Sequence, residues 1–145
     1  MQNASYLSVG YLSLQRIAKA ATFLYPTPLQ IRIVEPTLLE WTQLEQQSAE
    51  PHRWLGDDEH LEIAIALNPQ DQVALKKLIV RIMSRIDFAA HELPIGYIGS
   101  AIEDRARIVR VETLLNELKD PKVKDSLAAW IIEEKNAIEE YLRQR

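Results

Sequence analysis

The sequence predicts an all-α fold: a single helical domain of about five or six helices around a central helical hairpin, with at most one short strand near residues 29–34. Apolar residues recur at three- and four-residue intervals through most of the chain, which is the spacing of helices with one buried face. Capping residues and prolines separate these periodic segments. With 145 residues, the chain is long enough to build one core without disulfides.

The composition is typical of a folded domain in a reducing compartment. Hydrophobic residues make up 47% of the chain and charged residues 26%, as in ordinary globular proteins. Cysteine is absent, which excludes disulfides, thiol nucleophiles and cysteine-ligated metal sites. We therefore expect a cytoplasmic protein. We also expect no membrane span and no secretory signal, because no apolar run approaches roughly 18 residues and no basic segment precedes one.

The charge is unevenly distributed along the chain. The net charge is −4, but residues 35–62 contain eight acidic residues, with Arg53 as the one basic residue among them. The remaining basic residues form no stripe, and binding to a nucleic-acid backbone needs clustered lysine and arginine. Nucleic acid is therefore not an expected partner, and the acidic segment is interpreted as a solvated face.

Residues 1–28 are predicted to be a separate N-terminal segment, and residues 29–145 the helical domain. The apolar side chains of the segment would line one face of a helix, which favours a helix over about residues 11–24 that docks on the domain. The alternation of apolar and small polar residues around Val9 also suits a strand. Two prolines end either element.

The pattern of residues 29–34 favours a short strand. Apolar and polar side chains alternate there, and two of the apolar ones are β-branched isoleucines. A strand needs a partner for its backbone, which could be residues 5–12, a neighbouring subunit, or none if the segment is merely extended. Thr37 then predicts the start of a helix, with Glu40 as its capping-box partner, and this helix should end near Ser48.

The central hairpin follows a polar loop at residues 51–60. Asp57 and Asp58 are placed to cap the next helix, where a carboxylate also suits the positive end of the helix dipole. Residues 61–67 are apolar nearly all round, which predicts a helix enclosed on several sides.

Asn68 and Pro69 predict the start of the hairpin's second helix, which should continue to about Glu92. Residues 64–75, Ala-Ile-Ala-Leu-Asn-Pro-Gln-Asp-Gln-Val-Ala-Leu, resemble the joint between tetratricopeptide repeats. The resemblance covers about a dozen residues and no second copy recurs at a spacing of roughly 34 residues, so the chain is not assigned to that family.

Two further helices complete the predicted domain. Ser100 and Glu103 form a capping box that starts the first, and Asp120 with Pro121 starts the second. The first is expected to direct four residues toward the core: Ile102, Ala106, Val109 and Leu114. The second carries a broad apolar band: Trp130, Ile131, Ile138, Tyr141 and Leu142.

Imidazole and carboxylate side chains gather near the ends of the predicted hairpin. They are His52, Asp57, Asp58, His60, His91 and Glu92. Such groups bind zinc, manganese or iron, so a divalent metal site at these residues is one hypothesis. Their spacing matches no metal-binding motif, and helix capping with local ion pairs accounts for the same residues.

No nucleophile elbow and no phosphate-binding glycine loop occur in the sequence. We therefore expect a non-catalytic helical protein that acts through protein–protein interaction or self-association, without a cofactor. The alternative is a metal-binding protein or metal-dependent enzyme that uses the cluster just described. The apolar band of the last helix and the unpaired strand favour a homodimer, although both could instead be covered within the chain.

Overall fold

The computed structural model describes residues 28–92 and 98–144, and these residues are helical apart from short connections. The helices are α1 (Pro28–Leu44), α2 (Glu50–Leu55), α3 (Asp58–Leu67), α4 (Gln72–Glu92), α5 (Ile98–Asn116) and α6 (Pro121–Arg143). No strand occurs within these two ranges. The predicted all-α class is confirmed. The helix predicted over residues 11–24 lies outside the described residues.

The chain separates into two compact units, Met1–Gln46 and Gln47–Arg145. Helix α1 is the described helix of the first unit, and it contains residues 29–34, so the predicted strand is wrong. The helix also continues through Pro36, so the predicted start at Thr37 is wrong as well. Alternation over only six residues fits a helix as easily as a strand, and it did not decide between them here. The boundary predicted after residue 28 stays a prediction.

Helix α4 is the central element of the second unit. It packs against α3, α5 and α6, and the predicted α3–α4 hairpin is confirmed. Its apolar stripe is fully buried at Leu75, Leu78, Ile79, Met83 and Ile86. A helix that contacts three neighbours must bury more than one narrow stripe, which explains why α4 supplies so much of the core.

The start of α4 lies three residues later than predicted. Asp71 is its capping residue: its carboxylate accepts a hydrogen bond from the backbone N–H of Ala74 at 3.1 Å. Asn68 ends α3 instead, and Pro69 lies in the turn between the helices. The cap predicted for α3 is confirmed at Asp57, which accepts from the N–H of His60. The cap predicted for α6 is confirmed at Asp120, with Pro121 in the first turn.

Helix α2 occupies part of the segment that was predicted to be a loop. Pro51 lies in its first turn, where a missing N–H costs no hydrogen bond. Gly56 ends it with a left-handed φ of 71°, and its N–H donates to the carbonyl of His52 at 3.2 Å. A side chain at this position would be strained. This tight ending directs the chain at once into α3.

Helices α5 and α6 pack along each other. Ile131 and Ile138 of α6 are buried, and Trp130 and Leu142 pack against the same core. Most of the apolar band of α6 is therefore covered within the chain, so the band no longer supports a homodimer.

Candidate functional site

Two of the predicted metal ligands lie side by side where α2 meets α3. The imidazole rings of His52 and His60 are stacked, with centroids 5.4 Å apart and planes inclined by 27°. Gly56 makes this possible, because the sharp end of α2 brings the last turn of that helix against the first turn of α3. We call His52, Asp57 and His60 the α2–α3 corner.

Both carboxylate oxygens of Asp57 interact with the same residue, His60. One oxygen accepts the backbone N–H of His60 at 3.0 Å, and the other lies 2.5 Å from Nδ1 of the imidazole. Partial burial opposes ionisation of Asp57, but these hydrogen bonds and the charge of His60 outweigh it and lower the pKa of the carboxyl. Asp57 is thus a helix cap that also orients the His60 ring.

His52 is the buried member of the corner, with only 8% of its surface exposed. Burial lowers the pKa of its imidazole, the neighbouring His60 lowers it further, and Asp57 partly opposes the shift. Its Nδ1 is buried and has no hydrogen-bond partner among the described residues. The neutral form of His52 is therefore the form that suits this position.

The carboxylate of Asp58 contacts two arginines of α4. It accepts a hydrogen bond from Nε of Arg81 at 2.7 Å and another from Arg85. Partial burial opposes ionisation of Asp58, but the two arginines outweigh it and lower the pKa of the carboxyl. Asp58 therefore joins α3 to α4, and in this arrangement its carboxylate is committed to arginine.

The predicted metal cluster is only partly brought together. The side chains of His91 and Glu92 lie outside the part of the chain whose side chains the structure describes. Within the described part, no group of three or more histidine, aspartate or glutamate side chains is arranged to hold a metal ion. The metal hypothesis thus rests on the α2–α3 corner alone.

A second polar cluster holds α2 on the start of α4. Nε of Arg53 donates to the buried carboxylate of Asp71 at 2.9 Å. The Lys77 ammonium lies 4.8 Å from the ring centroid of Trp54, and burial followed by the charge of Arg53 lowers the pKa of that ammonium. Arg53 and Asp71 are 18 residues apart, so no local sequence pattern could have identified this pair.

The side of α5 that is buried differs from the predicted side. The side predicted to be buried is instead exposed, and it is the most unusual surface of the second unit. The residues that α5 directs into the core are Ala101, Asp104, Ile108, Val111 and Leu114. Of the four residues predicted to face the core, only Leu114 does so. Ile102 and Val109 are 61% and 60% exposed, and Ala106 between them is exposed too.

We call Ile102, Ala106, Val109 and Thr113 the outer face of α5. Successive residues of a helix are separated by about 100°, which places these four diametrically opposite the buried stripe. Thr113 adds no free polar group, because its hydroxyl donates to the carbonyl of Val109 at 3.1 Å. A helix exposed on one side normally carries charged residues there, whereas α5 is apolar on both sides.

Charged side chains border the outer face on both sides. Toward α6, Arg105 makes two hydrogen bonds of 2.8 Å with Glu139, and Glu112 accepts from Lys135 at 2.6 Å. The hydrogen bonds with Glu139 raise the pKa of Arg105, and the hydrogen bond from Arg105 lowers that of Glu139.

Toward α3, Arg110 donates to Glu62 at 2.5 Å, while Glu103 lies 3.6 Å from Arg107. Ile132 on α6 is also 57% exposed and lies about one helical turn from Lys135. The outer face of α5 is therefore an apolar stripe between two charged borders.

Two depressions in the described part offer little room for a small molecule. One of about 30 Å³ lies between α5 and α6 beside Val109, and one of about 240 Å³ lies near Lys76 and Lys122. Sites for small ligands usually enclose roughly 300 Å³ or more. Neither depression therefore favours small-molecule chemistry over contact with a larger partner.

Comparison of the chain with protein-family models, with curated proteins and with solved structures finds no match. None of the helices described by the structure has the length and apolar character required to cross a membrane. The residues of the two clusters and of the outer face of α5 are thus the basis for proposing a function.

Proposed function

We propose that this chain is a non-catalytic helical protein that binds another protein, or its own copy, through the outer face of α5. The observation that carries the proposal is the exposure of Ile102 and Val109 on the side of the helix opposite its core contacts. Single exposed apolar residues are common on protein surfaces, but two aliphatic side chains with a small residue between them form a continuous stripe.

The energetics favour covering this stripe. Removing an aliphatic side chain from water contributes on the order of 1 kcal/mol or more, so Ile102 and Val109 together would stabilise a complex appreciably. The charged borders supply the polar rim that interfaces usually have around an apolar centre. Ion pairs in such a rim contribute little affinity but select the orientation of the partner.

The polar clusters do not compete with this interpretation. Asp57, Asp58 and Asp71 each cap a helix or join one helix to another, so their conspicuous positions have structural reasons. The outer face of α5 has no such reason within the second unit.

Site-specific photo-crosslinking tests the proposal. A photoreactive amino acid at position 102 or 109 should give discrete crosslinked products in the cells that express the protein. The same amino acid at position 73 is the matched control, because Val73 is also a partly exposed aliphatic residue at 37% exposure but lies on α4. Crosslinking at all three positions alike, or at none, would contradict the proposal.

Metal binding is the second candidate function, and one observation favours it. Two imidazole rings stack at the α2–α3 corner, and imidazole nitrogens are good ligands for zinc, although the corner's three side chains are not arranged as a three-ligand metal site in this structure. Isothermal titration with Zn²⁺ tests this candidate. Micromolar binding that disappears in His60→Asn, with unchanged helix content, would support it, and equal heats for both proteins would remove it.

A further inference from the structure

We propose that Lys77 is a nucleophilic lysine that accepts an acyl group from acyl thioesters, in preference to the exposed Lys76 beside it. Lys77 belongs to the second polar cluster, where α2 lies on the start of α4, so this inference goes beyond the function proposed for α5. Three features of the cluster carry it: Lys77 is partly buried, a cation is its neighbour, and no carboxylate of the described residues pairs with it.

The ammonium of Lys77 has few polar partners. Within the described part of the chain, its one hydrogen bond is a long one of 3.4 Å to the backbone carbonyl of Arg53. No carboxylate of that part forms an ion pair with it. By contrast, Lys135 on α6 pairs with Glu112 at 2.6 Å. Lys77 is therefore a partly buried cation without a counterion among the described residues.

The charges that act on Lys77 are those of Arg53 and Asp71. The guanidinium of Arg53 lies 5.6 Å from the ring centroid of Trp54 and the Lys77 ammonium lies 4.8 Å from it, so two cations share one indole. The carboxylate of Asp71 is already committed, because one oxygen accepts from Arg53 at 2.9 Å and the other from the N–H of Ala74 at 3.1 Å.

This environment favours the neutral amine. Burial and a neighbouring cation are two ways in which proteins make a lysine nucleophilic. Burial followed by the charge of Arg53 lowers the pKa of Lys77, and Asp71 opposes the shift without reversing it. The Trp54 ring attracts the ammonium as well, but a ring shared with the guanidinium of Arg53 holds a second cation less strongly.

The chemistry balances with an acyl thioester as the co-reactant. The lone pair of the neutral Nζ attacks the thioester carbonyl carbon, a C–N bond forms and the C–S bond breaks. The sulfur leaves as a thiolate, and a proton of the amine passes to solvent. The product amide keeps one N–H, which can still donate to the carbonyl of Arg53. Acylation thus preserves the hydrogen bond of Lys77 and removes the charge that lacks a counterion.

Lys76 is the matched control for this reaction. It precedes Lys77 on α4 and is exposed, whereas Lys77 is partly buried. Access to a reagent alone would make Lys76 the faster of the two. A faster reaction at Lys77 must therefore come from the state of its amine.

The first experiment measures acylation of the native full chain by the thioester S-acetyl-N-acetylcysteamine at pH 7.5. Tandem mass spectrometry of peptides gives the initial rate at each lysine. We expect Lys77 to react several-fold faster than Lys76, and this excess should disappear in concentrated urea, where the cluster is unfolded. A rate at Lys77 that is equal to or below that at Lys76, or an excess that persists in urea, would overturn the inference.

The second experiment tests the neighbouring cation. Arg53→Gln removes the positive charge beside Lys77 and keeps an N–H donor for Asp71, so the excess at Lys77 should decrease while the rate at Lys76 stays the same. Arg110→Gln is the matched control, because Arg110 pairs with Glu62 instead, and it should leave the excess intact. Circular dichroism confirms that each variant is folded. An unchanged excess in folded Arg53→Gln would overturn the inference.

The pH dependence of the native chain decides the matter if Arg53→Gln does not fold. The excess at Lys77 should diminish as pH rises above about 10, where ordinary lysines lose their proton too. An excess that is independent of pH would reflect the position of the amine and not its protonation, and it would overturn the inference.

Discussion

The α2–α3 corner and the outer face of α5 differ in whether their side chains make contacts within the chain or are exposed to solvent. At the corner, conspicuous histidine and aspartate residues stack, cap a helix or hydrogen-bond to each other within a few ångströms. At the outer face, by contrast, the aliphatic side chains of Ile102 and Val109 are largely exposed to solvent in the part of the chain that the structure describes. The polar residues that looked functional in the sequence are thus explained by helix capping and hydrogen bonds. The exposed aliphatic residues of α5 have no comparable structural role within the described part of the second unit.

The largest expected effect on stability concerns the buried carboxylate of Asp71, which belongs to the second polar cluster. Asp71→Ala should destabilise the protein by about 3 kcal/mol, because it removes the cap of α4 and leaves Arg53 without its buried partner. Urea unfolding followed by circular dichroism measures the change. Asp125→Ala, an exposed aspartate of α6, is the control and should unfold like the native chain. Equal stability of the two variants would show that the hydrogen-bonded pair of Arg53 and Asp71 does not stabilise the fold.

A smaller effect is expected at the corner itself. Asp57→Ala should cost about 1 kcal/mol, the usual contribution of an N-terminal cap. The neighbouring exposed Glu59→Ala should change stability much less, because Glu59 does not cap the helix. If Asp57→Ala left the unfolding free energy unchanged, the capping explanation of this residue would be wrong and the metal hypothesis would gain weight.

The pH dependence of stability tests whether the buried imidazole of His52 is held neutral by the fold. Burial and His60 hold the pKa of His52 below its ordinary value, with Asp57 in partial opposition. As pH falls below about 6.5, His52 of the unfolded chain takes up a proton before His52 of the folded chain does. The unfolded state then binds more protons, so stability should decrease on acidification. The lowered pKa of Asp57 acts only at lower pH, below the ordinary range of a carboxyl group.

Denaturant unfolding between pH 7.5 and 5 measures this dependence. His52→Leu removes the titrating group and should flatten the decrease relative to the native chain. An identical slope in the variant would show that His52 does not titrate differently in the folded and unfolded states.

The smallest effect on stability is expected at the outer face of α5. Val109→Ser should change the unfolding free energy of the monomer by less than about 0.5 kcal/mol, because the side chain is exposed. The measurement is made at a few hundred nanomolar, where association does not contribute. A loss of several kcal/mol would mean that Val109 belongs to the core and that the outer face is misassigned.

The sequence was most informative where the physics is local. Asp57 and Asp120 were predicted as caps because a cap and its helix are adjacent in the chain. The α3–α4 hairpin was predicted because periodicity and chain punctuation agreed. By contrast, residues 29–34 are too few to distinguish the two-residue repeat of a strand from the 3.6-residue repeat of a helix. The strand prediction failed there.

The candidate site was less predictable, for two reasons. Helix α5 carries apolar residues on opposite faces, and periodicity alone cannot say which one α4 and α6 cover. The prediction chose the stripe with Ile102 and Val109, while the chain buries the one with Ile108 and Val111 instead. The pairing of Arg53 with Asp71 depends on the docking of α2, which no local pattern encodes.

The most direct test of the central claim is a methyl NMR comparison of the full chain, labelled at isoleucine and valine. Spectra are recorded at about 200 µM in soluble extract of the expressing cells and at about 5 µM in buffer. We predict that the Ile102 and Val109 methyl signals shift or broaden in the concentrated sample, while that of Val73 does not. Signals that are unchanged at Ile102 and Val109, or that change equally across all exposed methyl groups, would contradict the proposal that the outer face of α5 binds a partner.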